Sequence, residues 1–131
     1  MPYHLDTNIM IHARDGSPSV QGKLLAHPGE IFISALTLAE LQRGLLKSIA
    51  ESELRRKRLE VLLPAIPVVP FDIEAVRIYR RILERCGWVR GREFDRMIAA
   101  HAMSMGATLV TDNLADFKDI AGLKLENWLH G

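Results

Sequence analysis

The chain has 131 residues, of which 48% are hydrophobic and 25% are charged, and its formal net charge is +1. This balance predicts a single folded domain over residues 1–131, since the length suffices for one core, and it argues against a disordered chain. The sequence has no apolar stretch near the ~20 residues of a membrane helix, no secretory-signal pattern and one cysteine, Cys86, so we expect a cytoplasmic protein without disulfides.

Short apolar runs alternate with helical patterns along the chain. In chain order, the pattern predicts a strand at 3–5, helices at 9–14 and 20–26, a strand at 31–33, a helical hairpin at 38–49 and 54–63, a strand at 68–69, helices at 73–86 and 95–105, a strand at 108–110 and an edge strand at 123–125. Strands that alternate with helices pair in parallel through right-handed crossovers. We therefore expect an α/β sandwich with a central, mostly parallel sheet flanked by helices.

Acidic residues stand near the carboxyl ends of the predicted strands, where functional groups of such sheets collect. Asp6 directly follows the first strand, and Glu40 lies near the start of the helix after the second strand. Asp95 heads the helix that precedes the fourth strand, and Asp112 and Asp116 follow that strand. The topology therefore predicts that these acids meet at one edge of the sheet.

Each acid also has a purely structural explanation. Asp6 fits the N-cap of the next helix, and Thr37 and Glu40 have the spacing of a capping box. Asp95 is favourably placed in a first helical turn, and Asp112 suits a turn after a strand. For each residue taken alone, both explanations are open.

The acids are more informative as a set. Two carboxylates about 4 Å apart repel by roughly 4 kcal/mol at an effective dielectric constant near 20. Such a cluster persists by binding a cation, by raising pKa values or by pairing with arginine. Oxygen ligands suit Mg²⁺ or Mn²⁺, and these ions commonly serve phosphodiester hydrolysis. The set therefore predicts a metal-dependent phosphodiesterase.

Four segments carry a family resemblance: Leu5-Asp6-Thr7-Asn8, then residues 36–41, 94–100 and 109–117. In order and spacing they resemble the signatures of PIN domains, above all the VapC-type toxins of bacterial toxin–antitoxin pairs. The resemblance implies a PIN-like three-layer sandwich, Mg²⁺ (or Mn²⁺) as cofactor, and endonucleolytic cleavage of RNA by a metal-activated water. It also implies a homodimer and a cognate VapB-type antitoxin that covers the site in a toxin–antitoxin hetero-oligomer.

The resemblance also implies residue roles. Asp6, Glu40, Asp95 and Asp116 would form the catalytic set, with Asp6, Asp95 and Asp116 binding the metal and Glu40 orienting the attacking water. Many relatives have an acid where this chain has Asn113, so the fourth position is a choice among neighbours, and we favour Asp116. The groups that would hold the carboxylates or their waters in place are Thr7, Asn8, Thr37, Thr111, Asp112 and Asn113.

Two surface predictions accompany this site. Arg90, Arg92 and the arginines of helix 73–86 would hold the RNA backbone, and Trp88 would stack on an unpaired base, although solvated helix faces and a core tryptophan explain the same residues. The hairpin at 38–63 carries more apolar residues than one helix face buries. It is either ordinary core or a groove for an antitoxin helix.

Three other functions compete with this hypothesis. A haloacid-dehalogenase-like phosphohydrolase needs a second aspartate two residues after the first, where this chain has Asn8. A receiver domain needs an acidic pair near the first strand and a lysine after the last core strand, and neither is present as expected. A PIN fold that binds RNA without cutting it is compatible with Asn113 in place of an acid.

Overall fold

The computed structural model describes residues 2–47 and 49–129 of the chain. Within them, five short strands alternate with six helices. The strands are β1 (Tyr3–Leu5), β2 (Ile31–Ser34), β3 (Val68–Val69), β4 (Thr108–Val110) and β5 (Lys124–Glu126). The helices are α1 (Thr7–Arg14), α2 (Pro18–Ala26), α3 (Ala35–Gly44), α4 (Ile49–Leu62), α5 (Ile73–Cys86) and α6 (Glu93–Ser104). No helix in these two ranges is long and apolar enough to cross a membrane.

Side-chain caps explain why several helices begin earlier than predicted. The Ser34 hydroxyl accepts a hydrogen bond from the Leu36 N–H at 3.1 Å, so α3 begins at Ala35. The prediction that Thr37 and Glu40 form a capping box is therefore wrong, because Thr37 lies inside the helix and is fully buried. The predicted helix 38–49 also extends too far: α3 ends at Gly44, and Ser48 lies outside the described residues.

All five strands are parallel, in the order β3-β2-β1-β4-β5. The short fifth strand lies at an edge, as predicted. The chain moves from β1 toward β2 on one side and later enters β4 on the other side of β1. The sheet therefore has its topological switch point between β1 and β4, where ligand sites of such sheets form.

Side chains alternate between the two faces of the sheet, as the period of two requires. Leu5, Ile33 and Val110 pack into one buried cluster beneath α1 to α4. Phe32 and Leu109 pack into a second cluster beneath α5 and α6. Two cores on opposite faces of one sheet make three layers, and the predicted α/β sandwich is confirmed.

Candidate active site

Three of the four predicted catalytic acids line one cleft at the carboxyl edge of the sheet. Asp6, Glu40 and Asp95 share this cleft, which has a volume of about 210 Å³, with Thr7 and Asn8. The three acids come from the end of β1, from α3 and from the first turn of α6. We call this cleft the acidic cleft.

Asp6 is held at the junction of β1 and β4. Its N–H donates to the Val110 carbonyl oxygen at 3.0 Å, and its Oδ1 accepts from the Ile9 N–H at 2.9 Å, which caps α1. Burial, together with the nearby charges of Asp112 and Asp95, raises the pKa of Asp6 to about 6, although a hydrogen bond with Thr111 opposes the shift. Asp6 therefore serves as the helix cap and also presents a destabilised carboxylate to the cleft.

Glu40 is fixed from across the cleft by α1. The Thr7 hydroxyl donates to Glu40 Oε1 at 2.5 Å, a contact between residues 33 positions apart in the sequence. This bond restricts the carboxylate to one orientation, because a charge-assisted hydrogen bond is short and directional. One oxygen of Glu40 is thereby committed to Thr7.

Asp95 sits in the first turn of α6 and is half-buried. Burial raises its pKa, and the charges of Asp116 and Glu40 raise it further, while Arg92 and Arg96 lower it. Asp95 and Asp6 thus both lie where a negative charge is costly. A cation in the cleft would reduce that cost for both groups.

Two aspartates of the loop after β4 influence different acids of the site. The charge of Asp112 acts on Asp6, and the charge of Asp116 acts on Asp95. Asp116 accepts from Arg92 at 3.2 Å and from the Asn113 amide, so its carboxylate is already paired. Asp112 Oδ1 is buried and has no hydrogen-bond partner within residues 2–47 and 49–129.

Among the described residues, no group of three or more His, Cys, Asp or Glu side chains is arranged so that it could hold a metal ion. The donor chemistry nevertheless fits Mg²⁺ or Mn²⁺, since the cleft offers carboxylate oxygens and no sulfur. Mg²⁺ commonly takes only one or two carboxylates and completes its shell with water. Asp6 and Asp95 meet that requirement, and the unpartnered oxygen of Asp112 lies on the Asp6 side.

None of the predicted RNA-contacting residues Trp88, Arg90 and Arg92 lines the acidic cleft. Trp88 is 64% exposed and Arg90 is exposed, both in the loop before α6, whereas Arg92 is engaged with Asp116. Sequence reasoning missed Arg43 and Lys47, which do line the acidic cleft. Their signal was their closeness in sequence to Glu40: Arg43 follows it by three residues on α3, and Lys47 comes just after the helix ends at Gly44.

Comparison with known protein families identifies the family of this chain. A model of the PIN domain matches residues 3–123. Ribonuclease VapC2 of Rickettsia felis is 39% identical over 98% of both chains, and the tRNA(fMet)-specific endonuclease VapC of Shigella flexneri is 36% identical over the same shares.

Solved structures give the same result. The chain resembles the crystal structure of VapBC2 from Rickettsia felis bound to a DNA fragment from their promoter, with a TM-score of 0.85, 37% identity and coverage of 98% and 99% of the two chains. It also resembles DNA-bound VapBC from Salmonella typhimurium, with a TM-score of 0.85, 29% identity and 98% coverage of both chains. The predicted resemblance is confirmed, and this chain belongs to the PIN domain family.

Proposed function

We propose that this protein is a Mg²⁺- or Mn²⁺-dependent endoribonuclease that acts as the toxin of a toxin–antitoxin pair. The observation that carries the proposal is the shared cleft of Asp6, Glu40 and Asp95, in a chain that belongs to the PIN domain family. Relatives of similar length are named as ribonucleases and as tRNA(fMet)-specific endonucleases. The proposed substrate is therefore RNA, cut at its phosphodiester bonds.

Asp6 and Asp95 would hold the metal, and Asp116 would complete its surroundings from the Asp95 side. The bound ion supplies Lewis-acid activation of the phosphate and of water. Glu40 has one oxygen fixed by Thr7. Its other oxygen can then orient the attacking water and accept its proton, a role that requires a fixed carboxylate. Thr111 steadies Asp6 through their hydrogen bond.

The surface also supports a protein partner. Leu25, Leu46, Leu54 and Val61 are each more than half exposed. A cavity of about 430 Å³ opens among α1, α2 and α4 and has Arg14, Asp15 and Arg58 in its lining. A second cavity of about 450 Å³, mainly apolar, lies beside α2 and the segment after α4. An apolar groove of this second kind accepts an amphipathic helix. We infer that a VapB-type antitoxin docks here, within a hetero-oligomer built on a toxin homodimer. Co-expression with the neighbouring gene tests this inference, because the antitoxin should then co-purify with this protein. Purification of this protein without the product of that gene would contradict the inference.

Cleavage of a total RNA pool by the purified protein tests the proposed activity. We expect discrete fragments with Mg²⁺ or Mn²⁺ and none with EDTA. Asp95→Asn should abolish cleavage and keep the fold, since it removes one charge from the cleft and preserves the shape of the side chain. Glu60→Gln is the matched control, because it removes one negative charge from the exposed face of α4, outside the acidic cleft, and should leave cleavage unchanged.

Two results would refute the proposal. Equal activity of Asp95→Asn and the parent protein would remove Asp95 from the catalytic set. Absence of cleavage with the metal demonstrably bound would favour the alternative, a PIN fold that binds RNA without cutting it. Calorimetric titration with Mn²⁺ separates this second result from a simple failure to bind metal.

A further inference from the structure

The acidic cleft has a basic wall that the proposed chemistry does not use. Arg43 and Lys47 line the cleft together with Asp6, Glu40 and Asp95, and both cations are exposed. Gly44 lies between them, and a side-chain carbon added there would meet no atom within 4 Å. The wall is therefore open, with two cations on its face.

Neither cation is neutralised by a carboxylate of residues 2–47 and 49–129. Most other arginines of this chain are paired, for example Arg92 with Asp116 and Arg96 with Asp119. Arg43 and Lys47 form no ion pair with any carboxylate in the part of the chain that the structure describes. These positive charges are thus available to a ligand.

Glu40 is the acid closest in sequence to Arg43, and one of its oxygens is engaged by Thr7. Glu40 precedes Arg43 by three residues on α3, the spacing at which a helical acid and base normally pair. The Thr7 hydroxyl instead holds Glu40 Oε1 at 2.5 Å, and Glu40 makes no ion pair with Arg43. Thr7 thus orients the proposed catalytic carboxylate, and the guanidinium of Arg43 makes no ion pair with that carboxylate.

We infer that Arg43 and Lys47 form a phosphate-binding subsite for the strand of RNA that enters the acidic cleft. The inference rests on the proposed function and names how the substrate is held. An RNA backbone needs cations beside three carboxylates, because the acids would otherwise repel it. Arginine binds phosphate through its planar fork and lysine as a point charge, so the pair can grip neighbouring phosphates without reading sequence.

The test measures binding apart from cleavage. Fluorescence anisotropy of a short, labelled single-stranded RNA in EDTA gives the Kd of the parent, Arg43→Gln and Lys47→Gln over about 50 to 200 mM salt. Each substitution should raise the Kd roughly 5- to 10-fold at the lowest salt. Each should also lower the slope of log Kd against log salt by about 0.7, the value for one phosphate contact on a single strand. With Mg²⁺, KM should rise while kcat changes little.

Lys124→Gln is the matched control, since it removes one exposed positive charge at the start of β5, at the opposite edge of the sheet. Values for Arg43→Gln and Lys47→Gln that equal those for Lys124→Gln would overturn the subsite, even if the parent protein cleaves RNA. Absence of RNA binding by the parent would also overturn it. Binding with the expected losses but no cleavage would support the subsite and refute the proposed function. The same anisotropy measurement is made with a labelled polyglutamate peptide. If the two substitutions weaken binding of this peptide and leave RNA binding unchanged, the two cations would belong to the site of an acidic protein partner instead.

Discussion

His4 makes the stability of this protein depend on pH. Its side chain is fully buried on β1, 4.8 Å from the Phe32 ring and 5.3 Å from the His101 ring, measured between centroids. Burial, with a smaller effect from His101, lowers the pKa of His4 from 6.5 to about 3. The folded state therefore keeps this imidazole neutral at pH values where the unfolded chain binds a proton.

The sign and size of the effect follow from proton linkage. Above pH 6.5 both states are neutral at His4, and the free energy of unfolding is at its full value. Stability is lost as the pH falls from 6.5 toward about 3, because only the unfolded state gains the proton. At roughly pH 5 the loss from His4 amounts to about 2 kcal/mol, at about 1.4 kcal/mol per pH unit.

Urea denaturation of the parent protein and of His4→Leu at roughly pH 7.5 and pH 5 measures this loss. The variant should lose about 2 kcal/mol less than the parent between the two pH values. The altered packing around the substituted side chain changes the free energy of unfolding of the variant by the same amount at both pH values. This change therefore cancels in the difference between the two pH values. Ile82→Val, in the buried cluster that contains Phe32, is the control for a packing defect and should keep the pH dependence of the parent. Equal pH dependence of the parent and His4→Leu would refute the reasoning.

Two further predictions concern the first turns of α1 and α3. Thr7→Val should reduce RNA cleavage about 10- to 100-fold with little change in Tm, because Glu40 loses the hydrogen bond that orients it. Thr7→Ser keeps the hydroxyl and should keep the activity. Full activity of Thr7→Val would contradict the proposed role of Thr7 in orienting Glu40. Ser34→Ala should lower the free energy of unfolding by about 1 kcal/mol through loss of the α3 cap. Thr37→Val should be neutral or stabilising, since no described residue pairs with its buried hydroxyl; urea denaturation that ranks Thr37→Val below Ser34→Ala would contradict the observed helix start.

Helix boundaries were predicted less well than strand ends, and capping explains the difference. For α1, α2 and α3 the predicted helix began at its first apolar periodic residue, whereas Asp6, Ser17 and Ser34 cap these helices from positions outside that periodicity. Ser34 is also the last residue of β2, so one residue ends a strand and starts a helix. Local pattern does not separate these two roles, because both use an extended backbone.

Membership of a family distinguishes between some of the competing functions. Asn8 already counted against a haloacid-dehalogenase-like enzyme, and membership of the PIN domain family leaves that alternative and the receiver domain without support. The choice between a cutting and a non-cutting PIN domain depends on chemistry at the cleft, which the RNA assay with Asp95→Asn tests.

The sequence by itself determined the fold class and the family. Apolar runs of period two and of period 3.6 specify strands and helices locally, and four short motifs in order carry the resemblance. Asp6 and Asp95 could be chosen from sequence because each stands at the end of a regular element and beside residues that resemble a family motif.

Only the tertiary structure decided which side chains meet. The placement of β4 beside β1 joins Asp6 to Val110 through one hydrogen bond, across more than 100 residues of sequence. It also places Asp112 near Asp6 and Asp116 near Asp95, and it brings Arg43 and Lys47 to the rim of the cleft unpaired. Strand order and register depend on packing of both sheet faces at once, so distances between remote side chains are a property of the assembled core and not of any local segment.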